Sequence, residues 1–294
     1  MKRYATYRRQ LHLLLLPYLV GTLVLVIAPA ALTFVSAFTQ YNVLSPPRWV
    51  GWQSMRLAIA DPLFWIALRN SLYFILLAVP LRVLGALALA LLFRRRRRGV
   101  GIYRAGVYLP TVIPAVAYAL VWLWIFNPLY GPLNLVLRAV GLPAPAWLID
   151  PHLAKLALVI MAGLQIGEGF VLLLAALQTI PRPLYDAAAV DGGSPWQLFS
   201  TITLPFLLPW LALLTVRDVI MSFQHTFTPA YVMTGGGPYY ATFFLPLLIY
   251  EEAFDQFRFG QGAALMLIMF LVTLLLILAV YLLFQGYGYA EDIA

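Results

Sequence analysis

Six stretches of this 294-residue chain are long and apolar enough to cross a lipid bilayer, near residues 11–38, 69–93, 103–126, 153–179, 204–228 and 260–284. A helical crossing needs about 20 mostly apolar residues. Within hydrocarbon every backbone N–H and C=O must find a partner inside the segment or in a closed barrel, so runs of this length must be helices. The expected fold is therefore all-α: a polytopic membrane bundle of about six transmembrane helices, forming a single domain over 1–294. Composition agrees. The chain is 63% hydrophobic and 10% charged, whereas soluble domains are nearer half apolar and a quarter charged. The run Leu11–Ile27 is longer than a secretory signal core, and apolar sequence continues past Ala28-Pro29-Ala30, so it reads as an uncleaved first span.

The basic residues orient the bundle. Of 19, 11 fall on one side: Lys2, Arg3, Arg8, Arg9, Arg94–Arg98, Arg104 and Arg182. Six fall on the other (Arg48, Arg56, Arg69, Arg138, Lys155, Arg258), and Arg82 and Arg217 lie within spans. Five consecutive arginines resist translocation, so the loop between spans two and three faces the cytoplasm and both termini lie inside. This places 181–205 in the cytoplasm. The same placement makes membrane lipid, not nucleic acid, the partner that accounts for the net charge of +8. Outside, residues 127–152 hold an apolar piece too short to span, expected on the interface or against the bundle. Residues 229–258 form the last outer loop, with a breaker at Thr234-Gly235-Gly236-Gly237-Pro238.

The cytoplasmic segment 181–205, PRPLYDAAAVDGGSPWQLFSTITLP, has the local chemistry of two short helices and a sharp bend. Pro183 suits a first helical position, where a missing N–H costs nothing. Ala187, Ala188 and Ala189 favour helix, and Gly192 and Gly193 end it. Ser194, Pro195 and Gln197 then open a second helix with a capping box. Pro205 marks entry to the next span.

Charge inside the spans is the next constraint. Arg82, Glu168, Arg217 and Asp218 fall near mid-span. Each costs roughly 2.5–3.5 kcal/mol on insertion scales, so each must face protein or water. Two readings stand together: a polar solute path, with Gln165 and Gln224 as further hydrogen-bonding groups, or structural ion pairs between helices. Glu168 is a candidate partner of Arg82 or Arg217. Arg217 and Asp218 are adjacent, about 100° apart on a helix, and are not expected to pair with each other. The solute-path candidates are thus Gln165, Glu168, Arg217, Asp218 and Gln224. Tyr73, Phe74, Trp122, Trp124, Phe223 and Phe227 could stack on sugar faces, although interfacial belts and core packing account for most aromatics in such chains.

Several chemistries find no support. A phosphate-binding Walker loop needs Gly-Lys-Ser/Thr, and the only lysines, Lys2 and Lys155, do not follow glycine. There is no cysteine, the three histidines are scattered, and no G-x-S-x-G occurs. No catalytic or metal-ligating residue is assigned, and the chain is not expected to be an enzyme. Energy must come from another subunit or an ion gradient.

The 181–205 segment resembles the EAA loop of the membrane subunits of bacterial ABC importers. The pattern E-A-A-x-x-D-G-A, followed by an apolar residue and L-P, appears as Asp186, Ala187, Ala188, Asp191, Gly192, Gly193, then Ile202, Leu204 and Pro205. Asp186 replaces the usual Glu with a shorter reach. Gly193 replaces the usual Ala and is expected to loosen the bend. Residues 222–238, SFQHTFTPAYVMTGGGP, are similar to the F-x-x-x-Y-V-x-T-x-G-G-P exit of span five in carbohydrate permeases. Asn70-Ser71-Leu72, Phe126-Asn127-Pro128 and Trp147-Leu148 fit the same maltose- and glycerol-phosphate-type subfamily. The similarity runs from about residue 11 to 284 and lacks the extra N-terminal spans and large outer domain of the biggest maltose subunit.

The resemblance implies a multi-pass subunit of the bacterial cytoplasmic (inner) membrane that passes a sugar or related polyol. Tyr185, Asp186, Ala187, Ala188, Asp191, Gly192 and Gly193 would couple it to a cytoplasmic ABC ATPase dimer. Further partners implied are a second permease subunit, expected to be a paralogue, and an extracytoplasmic solute-binding protein. No cofactor is expected in this chain; ATP and Mg would be bound by the partner subunits. The alternatives are an importer permease for a non-sugar solute or an ion-coupled secondary transporter using Glu168 and Asp218.

Overall fold

The computed structural model describes residues 13–95 and 98–285. Lys2, Arg3, Arg8, Arg9, Arg96 and Arg97, which enter the orientation argument, lie outside the described residues. In chain order the elements are α1 (Leu13–Ser36), β1 (Thr39–Gln40), β2 (Arg48–Trp49), α2 (Gln53–Ala60), α3 (Pro62–Phe93), α4 (Val100–Val112), α5 (Ala115–Ile125) and α6 (Pro132–Ala139). They continue with α7 (Pro151–Gly163), α8 (Gly167–Thr179), α9 (Arg182–Val190), α10 (Pro195–Thr234), α11 (Leu245–Tyr250) and α12 (Phe259–Gln285). Among the described residues α1, α3, α10 and α12 are each long and apolar enough to cross a membrane alone. The pairs α4/α5 and α7/α8 each qualify as one broken span, bent by 104° and 42°.

The breaks have local causes. Pro114 disfavours the helical region for Ile113, which is extended at φ −71°, ψ 129° and ends α4. In the second pair the chain leaves the helix through Leu164-Gln165-Ile166 and resumes at Gly167. The starts are equally local. Asp61 ends α2 and accepts the Leu63 N–H at 2.8 Å at the head of α3. Asp150 accepts from His152 and Leu153 at 2.8 and 3.1 Å, with Pro151 in the first turn of α7. Those two backbone bonds hold the Asp150 carboxyl below its ordinary pKa.

The described residues form two compact units, one made of 13–64 with Leu248–Phe270, the other of Trp65–Leu247 with 271–285. In the first unit β1 and β2 pair antiparallel, Thr39 opposite Trp49. Ala37, Met55, Ala263 and Ala264 form a small core with Phe38 and Leu267 against it. Gly260 is required there, because any Cβ would strike the Thr39 carbonyl. The outer stretch 229–258 is more ordered than a loop: it contains α11 and a helical turn over Glu251–Asp255. In that turn the buried Glu252 meets Arg258 at 3.4 Å. Burial raises the Glu252 pKa, with Arg258 offsetting part of the shift.

In the second unit α8 packs on α4 and α10, and α5 packs on α10. The outer segment after α5 folds around Asn134, which is fully buried. Its amide donates to Pro128 and Pro145 carbonyls at 3.2 and 3.0 Å and accepts from Trp147 Nε1 at 2.8 Å. Asn70 and Ser71 similarly hold the turn after α10. Asn70 donates to the Tyr240 and Phe243 carbonyls at 2.7 and 3.0 Å, and Ser71 accepts the Leu245 N–H at 3.0 Å.

Candidate functional site

The segment 181–205 is built as two capped helices. α9 starts at Arg182 with Pro183 in its first turn. It closes with paired bonds from Gly193 N–H to the Ala188 carbonyl (2.9 Å) and from Gly192 N–H to Ala189 (3.2 Å), the Schellman arrangement. Gly192 takes φ +76°, a conformation costly for any residue with a Cβ. Gly193 does not loosen the bend as expected. A Cβ there would sit 2.8 Å from Leu198 Cδ1 and 2.9 Å from the Ala188 carbonyl oxygen, so glycine is what allows the turn to close. Ser194 then caps α10 reciprocally with Gln197: Gln197 N–H donates to Ser194 Oγ at 3.3 Å, and Ser194 N–H donates to Gln197 Oε1 at 2.7 Å.

Tyr185 ties the two helices together, its hydroxyl 2.8 Å from Thr203 Oγ1. Asp186, Ala187 and Asp191 are exposed and Ala188 is half-buried. Val190 and Trp196 are large apolar side chains, 87% and 71% exposed. Pro205 does not separate a loop from a span. α10 runs as one helix of 40 residues from Pro195 to Thr234, with a wider turn at Phe199–Thr203 just before Pro205 and with Pro209 inside the helix.

The same helix forms one wall of a cavity of about 320 Å³. Arg217, Met221, Gln224 and Thr228 line it, at the i, i+4, i+7, i+11 spacing of a single helical face. The α4/α5 break contributes Thr111, Ile113, Ala115 and Tyr118, and the α7/α8 break contributes Met161, Gln165 and Glu168. The five solute-path candidates, Gln165, Glu168, Arg217, Asp218 and Gln224, thus come together around one volume. Tyr118 and the His225 ring line it; Tyr73, Phe74, Trp122, Trp124, Phe223 and Phe227 do not. The Tyr118 hydroxyl donates to the Met161 carbonyl at 2.9 Å, near the end of α7.

The embedded charges form one chain across three helices. Glu168 of α8 is ion-paired with Arg217 of α10. Arg217 Nη1 also reaches Asp218 Oδ1 at 3.0 Å. That pairing corrects the sequence expectation: a guanidinium on a three-carbon arm spans the angle that separates neighbouring positions on a helix. Asp218 Oδ2 lies 3.3 Å from Arg82 Nε of α3, close enough for Coulomb attraction, although the N–H is not aimed to make a hydrogen bond. Arg82 Nη2 donates to Ser222 Oγ at 2.6 Å and to the Asp218 carbonyl at 3.2 Å.

Two glycines flank Glu168 and set its approach. A Cβ on Gly167 would lie 2.8 Å from Tyr108 Cα of α4, and one on Gly169 3.0 Å from Leu214 of α10. The sequence signal was present in Gly167-Glu168-Gly169, since small residues let membrane helices come close. Ser222, Tyr118, His225 and Thr228 were not singled out by sequence. Ser222 and Thr228 could have been found from their helical spacing to Asp218 and Gln224.

Two long bent pairs, a cavity at both breaks and a capped helix continuous with the cavity wall define an importer-type permease. Residues 82–287 match the family described as "Binding-protein-dependent transport system inner membrane component", and the chain belongs to that family. It is a protein of the inner membrane. It is 32% identical over 270 residues to the probable ABC transporter permease protein YesP of Bacillus subtilis, covering 90% of this chain and 87% of that one. It is 33% identical over 266 residues to the trehalose/maltose transport system permease protein MalF of Thermococcus litoralis, covering 90% and 89%. Its fold is similar to that of a bacterial ABC transporter involved in the import of alginate, with TM-score 0.80 and 22% identity over 97% of this chain and 99% of that one.

Proposed function

We propose that this chain is the membrane subunit through which a bacterial ATP-driven importer passes a sugar or related polyol. The observation that carries the reading is α10. One uninterrupted helix bears the capped cytoplasmic segment at one end and the polar cavity wall at the other. A push on α9 and the head of α10 is thereby delivered to Arg217, Gln224 and Thr228 without a hinge between them. Tyr185, Asp186, Ala187, Ala188, Asp191, Gly192 and Gly193 form the surface that docks on a cytoplasmic ATPase dimer. Gln165, Glu168, Arg217, Asp218 and Gln224 line the solute path. ATP and Mg bind to the partner ATPases; no glycine-lysine pair in this chain could cradle a nucleotide phosphate. A second permease subunit completes the path, and an extracytoplasmic binding protein delivers the solute.

The trehalose/maltose permease among the relatives supports a saccharide over an amino acid, as do the amide, hydroxyl and imidazole groups around the cavity. The test is reconstitution of the complete transporter in proteoliposomes with its binding protein. Uptake should require internal-facing ATP and the binding protein, and should be competed by disaccharides and not by amino acids. Uptake driven by a proton or sodium gradient without ATP would reject the reading.

A further inference from the structure

Both arginines of the cavity are already paired, which leaves it without a free cation. Arg82 is held by Asp218 and Ser222, and Arg217 by Glu168 and Asp218. Two cationic and two anionic side chains line one volume, so its fixed charge sums to zero with His225 neutral. The remaining polar groups are uncharged. The amides of Gln165 and Gln224, the His225 ring and the Thr228 hydroxyl make no hydrogen bond to the described residues and stand free for a ligand's hydroxyls.

The ion pairs of Arg82 and of Arg217 are not equivalent. The Arg82 and Asp218 side chains border the cavity but are only 4% and 6% exposed, so they offer a solute little more than an edge. Those of Arg217 and Glu168 are 37% and 51% exposed and face the cavity. Of the two arginines that line the cavity among the described residues, Arg217 is therefore the accessible one, and Glu168 occupies it. We propose that Glu168 determines specificity: by neutralising Arg217 it makes the path accept uncharged polyhydroxylated solutes and turn away phosphorylated, carboxylated or sulfonated ones. The inference rests on the reading of this cavity as the solute path. An anionic solute must displace Glu168 and leave a carboxylate facing it without a partner. An uncharged sugar hydrogen-bonds to the amides and leaves both ion pairs intact.

The absence of native cysteine supplies the test. Gln224→Cys places one thiol in the cavity of the assembled transporter in nanodiscs. Its initial rates of modification are compared for a sulfonate-bearing and a trimethylammonium-bearing methanethiosulfonate of similar size. Thiol reactivity cancels in the ratio, which then reads the charge the cavity shows to a small solute. Adding Glu168→Gln should raise the sulfonate-to-ammonium ratio roughly 3–10-fold, the effect of one elementary charge several ångströms away in a watery site. Adding Arg217→Gln should lower it, and the double change should bring it back. A thiol introduced by Tyr239→Cys, at a site 91% exposed, should show no change with either. If the ratio at 224 is unmoved by Glu168→Gln, or if the parent cavity already favours the sulfonate over the exposed thiol's value, the inference is wrong. Should Glu168→Gln fail to assemble, a ratio unmoved by Arg217→Gln would overturn it equally. The path reading is judged separately: uptake that survives complete modification at 224 rejects that reading whatever the ratio.

Discussion

Asp218 is the residue on which the cavity wall depends. It is 4% exposed and touches both arginines, so its carboxylate is the buried anion that compensates Arg82 and part of the charge of Arg217. Removing one member of a buried pair typically costs about 3–5 kcal/mol, because the other charge is stranded. Asp218→Asn should therefore lower the thermal stability of the assembled transporter by that order. Glu168→Gln breaks a half-exposed pair and should cost no more than about 1 kcal/mol. Melting curves of both variants in one detergent check the ranking, and equal losses would contradict it. Glu252 offers a test by pH. Burial raises its folded-state pKa above the ordinary carboxylate value, so its favourable contribution is complete below the unfolded-state pKa and is lost as pH rises through the raised one. Glu252→Gln should melt higher than the parent at pH 7.5, with the gap closing as the buffer is taken towards pH 5. A gap that widens on acidification would mean that Arg258 outweighs burial.

The α9–α10 connection is a rigid elbow. Gly192 sits at φ +76°, whereas proline is confined to about −65°. Gly192→Pro should leave insertion and assembly intact and remove most solute-stimulated ATP hydrolysis. Retention of normal coupled transport would reduce the segment to a connector. Gly193→Ala should act in the same direction more weakly, since the added methyl meets a movable Leu198 side chain as well as the fixed Ala188 carbonyl. These elements were legible in sequence because caps and glycine stops are decided within five or six residues. The broken spans were legible only in part. Pro114 announces a bend, but a proline kink and a 104° break share the same signal. Nothing in Leu164-Gln165-Ile166 marks an interruption; Gly167 fitting against Tyr108 and Thr111 does, and that is a contact between helices.

Across the membrane, the arginine distribution makes a prediction that the paired units do not depend on. A thiol introduced by Val190→Cys, at a site 87% exposed, should react with an impermeant reagent only from the cytoplasmic side. One introduced by Tyr239→Cys should react only from outside. External labelling at 190 would invert the topology and move the docking face away from any cytoplasmic ATPase. The short motifs noticed along the chain also gain their meaning here. Asn70-Ser71 and the stretch ending in Gly237-Pro238 lie about 170 positions apart and meet because Asn70 holds the carbonyls of the turn that follows. Trp147 meets Asn134, and its ring lies 5.7 Å from Phe126.

Hydrophobicity and local capping were enough to establish the helices and the bent 181–205 segment, because each depends on residues near one another in the chain and on the solvent around them; the orientation follows from arginine placement and is what labelling at 190 and 239 tests. Which charges pair, where two spans break, and that Gln165, Glu168, Arg217, Asp218 and Gln224 share one cavity were decided only by packing. Three helices had to come close enough, with Gly169 fitting between Leu214 and Ala86, for Arg217 to reach Glu168 on α8 and for Arg82 on α3 to reach Asp218 on α10. Embedded charge makes some such partnership obligatory, but the choice among partners is a matter of distance, and distance is a property of the folded bundle.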